Sequence, residues 1–327
     1  MFSRVSARVR GFTVALLLVA APALPCSICR CGDSTFNSLG PNVFAEGKFH
    51  IALDWDRFEK DSAVAPEDSV AALRRRFSTD PAAAGFSQVV ENRFTATVAY
   101  TFGERVVAVA RVPFSQRHLV ETNFATGAVD DGSSSALSDP EFYALVRLWA
   151  TPFRPGLGRN AWVSLIGGVK TPWGKNDLSS SGVRLDEHLQ AGTGSTDFFA
   201  GLSAVYLLDP RSSVFGSAQY RRSGTNDIGH QYGHITLVNA AYERKLGKVV
   251  DAVVELDYRH AQKDRDNFAG DLDPHTGGDI VYVSPHVVID LGRSVAARAA
   301  VQIPLIRDLY GDQTERAVAS FGLTYLF

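Results

Sequence analysis

All three cysteines of the chain, Cys26, Cys29 and Cys31, stand in C-x-x-C-x-C spacing. Thiolates so spaced can chelate a soft cation, act as a redox dithiol, or close a disulfide and leave one sulfur over. Haem attachment needs a histidine directly after C-x-x-C, where this chain has Arg30. A lipid anchor on Cys26 wants a small residue before it, and Pro25 stands there. Structural zinc takes four ligands, so a fourth would come from His50, Asp33 or a more distant side chain, whereas three thiolates alone suit copper(I). Three readings stay open: a disulfide-closed knot, a metal or redox role with Cu(I) or Zn as the ion held, and a lipid anchor on Cys26.

What positions the cysteines is written around them. Arg4, Arg8 and Arg10 precede an apolar run from Phe12 to Ala21, and Ala21-Pro22-Ala23 has the small-x-small form of a cleavage site. Residues 1–23 read as an export signal, too short to span a bilayer, and 24–43 as a cysteine segment at the start of the mature chain in an oxidising compartment. The 327 residues carry a formal net charge of −2. That balance offers no basic footprint for nucleic acid.

From residue 44 to 327 the dominant pattern is period two. Val90, Asn92, Phe94, Ala96, Val98, Tyr100 and Phe102 fall on one face, and Glu91, Arg93, Thr95, Thr97, Ala99 and Thr101 on the other. About twelve such segments recur, centred near Leu53, Ala96, Ala110, Val146, Leu165, Leu202, Gly216, Leu237, Val254, Val287, Ala299 and Phe321. Tight turns at Gly103-Glu104-Arg105, Asp209-Pro210-Arg211-Ser212, Leu246-Gly247-Lys248 and Leu291-Gly292-Arg293-Ser294, and a longer one near Pro155-Gly156, alternate with long polar connections. Short turns on one side, long loops on the other and an even strand number describe an all-β fold: an up-and-down antiparallel transmembrane β-barrel of the bacterial outer membrane. Both termini are then periplasmic and the long loops extracellular. A soluble sandwich also alternates, but its strands average about 5–6 residues and several of these run longer.

Phe327, preceded by apolar and aromatic residues at every second position, resembles the C-terminal assembly signal of outer-membrane proteins. That implies the barrel assembly machinery and membrane lipids as partners. "GGVKTPWGKND" followed by "GTGSTDFFAGLSAVYLL" resembles the G-x-K-x-P-x-G and G-T-G-S-x-D segments of the outer-membrane transporters named after the meta-pathway of phenol degradation, although Trp173 stands where threonine is usual. The family is related in architecture to the long-chain fatty-acid channels. The resemblance implies a passive, TonB-independent channel for small hydrophobic or aromatic permeants. From the residues alone, Gly192 and Gly194 precede a strand and do not open a helix, which argues against a phosphate loop. Gly167 and Gly168 read as a bulge or sharp bend in the wall, and bulges are expected at Pro285 and Pro304.

Projected inward, the alternation gives a mixed-sign lumen: His50, Asp54, Asp56, Glu91, Arg93, Arg111, Glu141, Arg147, Lys170, Asp197, Arg221, Asp251, Glu255, Asp257, Arg259, Arg298 and Arg316. The permeant path is expected at Asp54, Arg93, Arg111, Arg147, Lys170, Glu255, Asp257 and Arg298. Both signs argue for a narrow interior crossed by ion pairs, where a strongly ion-selective pore would want a ring of one sign. A barrel hydrolase would need a nucleophile beside a histidine. No G-x-S-x-G stretch offers one, so the chain reads as a non-enzyme. In "DRDNFAGDLDPHTGGD", residues 264–279, Phe268 breaks the calcium-loop pattern, leaving a solvated outer loop as the expectation.

Overall fold

The computed structural model describes residues 49–62, 85–123, 129–153, 160–180, 183–185, 189–265, 272, 276–292, 294–310 and 313–327. The expected export signal and Cys26, Cys29 and Cys31 lie outside the described residues. In chain order the strands are β1 (Phe49–Ser62), β2 (Gly85–Phe102), β3 (Val106–Asn123), β4 (Val129–Leu137), β5 (Glu141–Ala150), β6 (Ala161–Lys170), β7 (Ser179–Ser180) and β8 (Val183–Arg184). They continue with β9 (Asp197–Asp209), β10 (Ser212–Arg222), β11 (Ile235–Lys245), β12 (Val250–Ala261), β13 (Gly278–Gly292), β14 (Val295–Leu309), β15 (Gln313–Glu315) and β16 (Val318–Leu326).

Twelve of these strands form a closed antiparallel barrel, in which β1 pairs with β2 on one side and with β16 on the other. Closure leaves no free edge, the condition for a sheet whose outer face meets lipid. Each of the twelve centres read from the alternation falls in one wall strand. Of the four further strands, β7 and β8 pair only with each other, and two bulges account for β4 and β15. Phe114 pairs with Leu137 and Arg111 with Glu141, so two residues of β3 face the three residues Ser138, Asp139 and Pro140, and β4 with β5 is one interrupted strand. The Ser138 N–H donates to Pro113 O at 2.9 Å within that bulge. Likewise β15 and β16 flank a break at Arg316 and Ala317 opposite β1.

The second bulge corrects one expectation. Arg316 turns outward, 54% exposed, and pairs with Asp61 at 2.8 Å and Glu59 at 3.5 Å. Of the bulge or sharp bend expected at Gly167 and Gly168, the bulge is absent; the register shift in that hairpin lies between Arg147 and Trp149. Gly168 instead makes room, since a Cβ there would stand 2.3 Å from Tyr143 Cβ and 2.7 Å from Phe199 Cζ. Pro304 does sit beside a register shift, between Val281 and Tyr282 of its partner strand, whereas no shift accompanies Pro285 in the β12–β13 ladder.

The outer face is an apolar belt with aromatic borders. Phe49, Phe102, Tyr206, Tyr242, Tyr325 and Phe327 are exposed at the short-turn end, with ring centroids 4.4 Å apart for Tyr325 and Phe327. Trp173, Phe198, Tyr220 and Tyr310 are exposed toward the long-loop end. From Phe198 to Tyr206 on β9, a tilt near 40° gives about 20 Å of belt height, close to the band of outer-membrane barrels. Inside, Ala99, Val107, Val109, Leu145, Ile166 and Phe199 form a buried apolar cluster, with Tyr143 packed against them.

Candidate functional site: the charged lumen

The inward faces of β2, β3, β5, β6, β9 and β10 meet in three buried charge triads. Glu91 lies between Arg93 Nη2 at 2.8 Å and Arg117 Nε at 2.9 Å, and accepts from Ser115 Oγ at 2.7 Å. Glu141 lies between Arg221 Nη2 at 2.6 Å and Arg111 Nη1 at 3.4 Å. Lys170 Nζ inverts the order, sitting between Asp139 Oδ2 at 2.8 Å and Asp197 Oδ2 at 3.2 Å. A buried charge is tolerated only when paired and hydrogen-bonded, and each of the three central groups has at least two partners.

The third triad explains the glycine-rich segments chemically. Lys170 also donates to Ser195 O at 3.1 Å and to Thr193 Oγ1. Asp139 accepts from the Thr193 N–H at 2.8 Å and the Gly174 N–H at 3.0 Å. Asp197 accepts from Ser195 Oγ at 2.8 Å and the Gly224 N–H at 3.0 Å. Gly174 and Gly192 leave space for the carboxylate, because a Cβ on either would come within 2.7 Å of Asp139 Oδ1. Gly194 holds φ at +70°, where a side chain would be strained and would strike Asn176. Residues 189–195 are therefore folded back against the lumen wall, with Gln190 donating to Leu178 O at 3.0 Å and Leu185 O at 2.8 Å.

Across the barrel, Arg298 holds Asp54 at 2.7 Å, and Asp56 accepts from Ser320 Oγ at 2.6 Å. Glu255 meets His286 at 3.4 Å and Asn239 at 2.5 Å, while Asp257 accepts from Ser284 Oγ at 2.6 Å and Gln302 at 3.3 Å. Glu315 joins Lys60, Arg259 and Tyr282. Between the walls, Arg93, Arg111, Arg117, Asp139, Glu141 and Lys170 line a cavity of about 40 Å³. That is room for a few waters and not for an organic ring.

Of the eight path residues expected from sequence, the structure brings Arg93, Arg111 and Lys170 to this cavity, pairs Asp54 with Arg298, and sets Glu255 and Asp257 on one face of β12. Arg147 stands apart, its guanidinium 5.8 Å from the Trp162 ring toward the short turns. Asp139, Arg117, Lys60, Glu315, Thr193 and Ser195 were outside the expected set. Arg117 continues the alternation through Arg111, so its inward face was legible; Asp139 lies in the bulge, which no periodicity shows. Asp264 departs from the solvated-loop expectation: it is 3% exposed and accepts from the Gly233 N–H at 2.6 Å. Asp266, Asn267, Asp271 and Asp273 lie outside the described residues, and among the described residues no group of three or more His, Cys, Asp and Glu could hold a metal ion.

The family described as "Putative MetA-pathway of phenol degradation" matches residues 78–304. An outer-membrane channel from Pseudomonas putida F1 has a similar structure, at TM-score 0.64 and 10% sequence identity over 86% of this chain and 96% of that one. The translocator domain of the autotransporter NalP from Neisseria meningitidis matches at TM-score 0.46 and 9% identity over 89% of this chain and 91% of that one. No curated protein matches the sequence.

Proposed function

We propose, from the premise that this chain belongs to the family described as "Putative MetA-pathway of phenol degradation", that it is a passive outer-membrane channel for small compounds of aromatic or hydrophobic character. Its long loops face the exterior, its short turns and termini face the periplasm, its belt faces lipid, and the barrel assembly machinery inserts it. The observation that carries the reading is the sorting of side chains by the closed wall: an apolar, aromatic-bordered outer face and a lumen of hydrogen-bonded charge. A barrel built only as an anchor would have no need of three charge triads converging on a folded-in loop. The wall cannot dilate without breaking its ladder, so passage runs through the lumen once the β6–β9 connection moves.

The neutral route past paired charges suits molecules that combine an apolar body with a few polar atoms. Strong selectivity for bare ions is not expected, because each central charge has its counterion in place. Liposome swelling with the full-length protein tests the reading. Phenol-sized solutes should enter faster than in protein-free vesicles, and faster still when the β6–β9 connection is loosened by Lys170→Met. Absence of flux in both proteins would overturn it.

A further inference from the structure

Leu189 and Gln190 of the β6–β9 connection are held by the lumen wall as a ligand would be held. The Leu189 side chain is 3% exposed and packs with Val89 of β2 and Leu119 of β3, with Leu185 and Tyr232 against the cluster. A Cβ on Gly132 of β4 would stand 2.6 Å from Leu189 Cδ1, so the leucine fits because that position is glycine. Beside the apolar body, two wall donors take main-chain oxygens: Ser134 Oγ donates to Leu189 O, and Arg117 Nη1 donates to Gln190 O. Arg117 belongs to the triad in which one carboxylate, Glu91, serves two guanidiniums, leaving that triad with a net positive charge. A backbone carbonyl takes one bond from the guanidinium but leaves its charge uncompensated by an anion, whereas a carboxylate there would add an ion pair to the hydrogen bond.

We propose that this pocket is a binding site for the permeant, that Leu189 and Gln190 occupy it in the closed channel as an internal stand-in, and that its ligand is a small aromatic acid. The ring replaces Leu189 against Val89, Leu119 and Tyr232, and the carboxylate replaces the two carbonyls on Arg117 and Ser134. This rests on the channel reading and deepens it by naming the permeant's chemistry.

Calorimetry on the full-length protein in detergent micelles, with benzoate, benzyl alcohol and acetate as probes, tests the site. Leu189→Ala should bind benzoate about tenfold more tightly than the unmodified protein, because the competing side chain is gone. Leu189→Val, which trims the competing side chain and keeps both wall donors, Ser134 and Arg117, should shift benzoate in the same direction by less. Arg117→Gln should lose the preference of benzoate over benzyl alcohol. Heat-modifiable migration identifies folded variants, and Leu189→Val carries the test if Leu189→Ala does not fold. Benzoate affinity unchanged in the variants would overturn the stand-in. Acetate gaining as much as benzoate would overturn the ring pocket, and equal affinity for benzyl alcohol in the unmodified protein would overturn the acid assignment. The channel reading fails separately, by absent liposome flux, and leaves the calorimetric result standing.

Discussion

Lys170→Met removes the cation of the Asp139–Lys170–Asp197 triad while keeping much of its apolar length. Lys170, Asp139 and Asp197 have side chains 2–4% exposed, so the two carboxylates left behind cannot be solvated where they stand. Breaking a buried pair by removing one partner costs about 3–5 kcal/mol. Asp139 would retain the N–H groups of Thr193 and Gly174, and Asp197 would retain Ser195 Oγ and the Gly224 N–H. The cheapest relief is to admit water by lifting the segment that covers the carboxylates, rather than to break the wall's ladder. At about 1.4 kcal/mol per decade, the opening equilibrium of residues 190–195 should rise by about two to three and a half powers of ten. Hydrogen exchange followed by mass spectrometry reads this directly: peptides spanning Gly192 to Ser195 should lose protection by that factor, while β2 and β3 peptides keep theirs. Lys170→Met/Asp197→Asn, with one carboxylate fewer to strand, should recover part of the protection. Unchanged protection at Thr193 in Lys170→Met would refute the argument that this triad seats the loop.

Glu141→Gln leaves Arg111 and Arg221 with a neutral acceptor in place of their shared carboxylate, so reversal potentials in a salt gradient should move toward anion selectivity; no shift would place the cavity off the conduction path. Gly322→Ala puts a Cβ 2.3 Å from Asp54 Oδ1 and should push that carboxylate off Arg298, at a cost of about 1–3 kcal/mol seen as a lower temperature for the heat-modifiable transition. His234, in the β10–β11 connection, has its pKa lowered by burial, aided by the nearby Arg222 guanidinium, and its Nδ1 accepts from the Ser223 N–H at 3.2 Å. Because the folded value is depressed, this contribution is present above the ordinary histidine pKa of about 6.5 and is lost as pH falls through the folded value. Protection of the Ser223 amide, taken relative to the intrinsic exchange rate at each pH, should accordingly fall on acidification, and His234→Asn should remove most of that pH dependence.

The wall was legible because lipid and lumen impose opposite demands on alternate residues, so twelve segments announced themselves without any tertiary information. Inward placement of Arg93, Arg111 and Lys170 followed from the same alternation. What the alternation could not carry was anything that interrupts it. Asp139 sits in a three-residue bulge, and Arg316 lies beside another that turns it outward. The Gly192-Thr193-Gly194-Ser195 stretch offered glycines whose purpose depends on a carboxylate from residue 139, 54 positions from Thr193 in sequence. Nothing local encodes that meeting. Asp264 misled for a related reason: an acidic loop reads as solvated until its backbone partner, Gly233, is known.

The division of labour inside the lumen bears on how such a barrel could open. Asp139, Lys170 and Asp197 all belong to the wall, two at strand ends and one in a bulge, so their triad persists whether or not the loop is seated. The same holds for Arg93–Glu91–Arg117 and Arg111–Glu141–Arg221. Lifting residues 189–195 therefore separates no ion pair. It forfeits the Thr193 bonds to Asp139 and Asn226, the Ser195 bond to Asp197, the Lys170 bonds to Thr193 and Ser195 O, the two wall bonds to Leu189 O and Gln190 O, and the Leu189 contacts. Most of those hydrogen bonds end on a charged wall group, where each is worth about 1.5–3 kcal/mol net. The closed form therefore dominates, and a ligand that binds only the opened pocket shifts the balance by its differential affinity. A charge network that spanned wall and loop equally would have locked the bore shut. Confining the ion pairs to the wall leaves the loop held by hydrogen bonds and one leucine, which is what the channel reading requires of a part that moves.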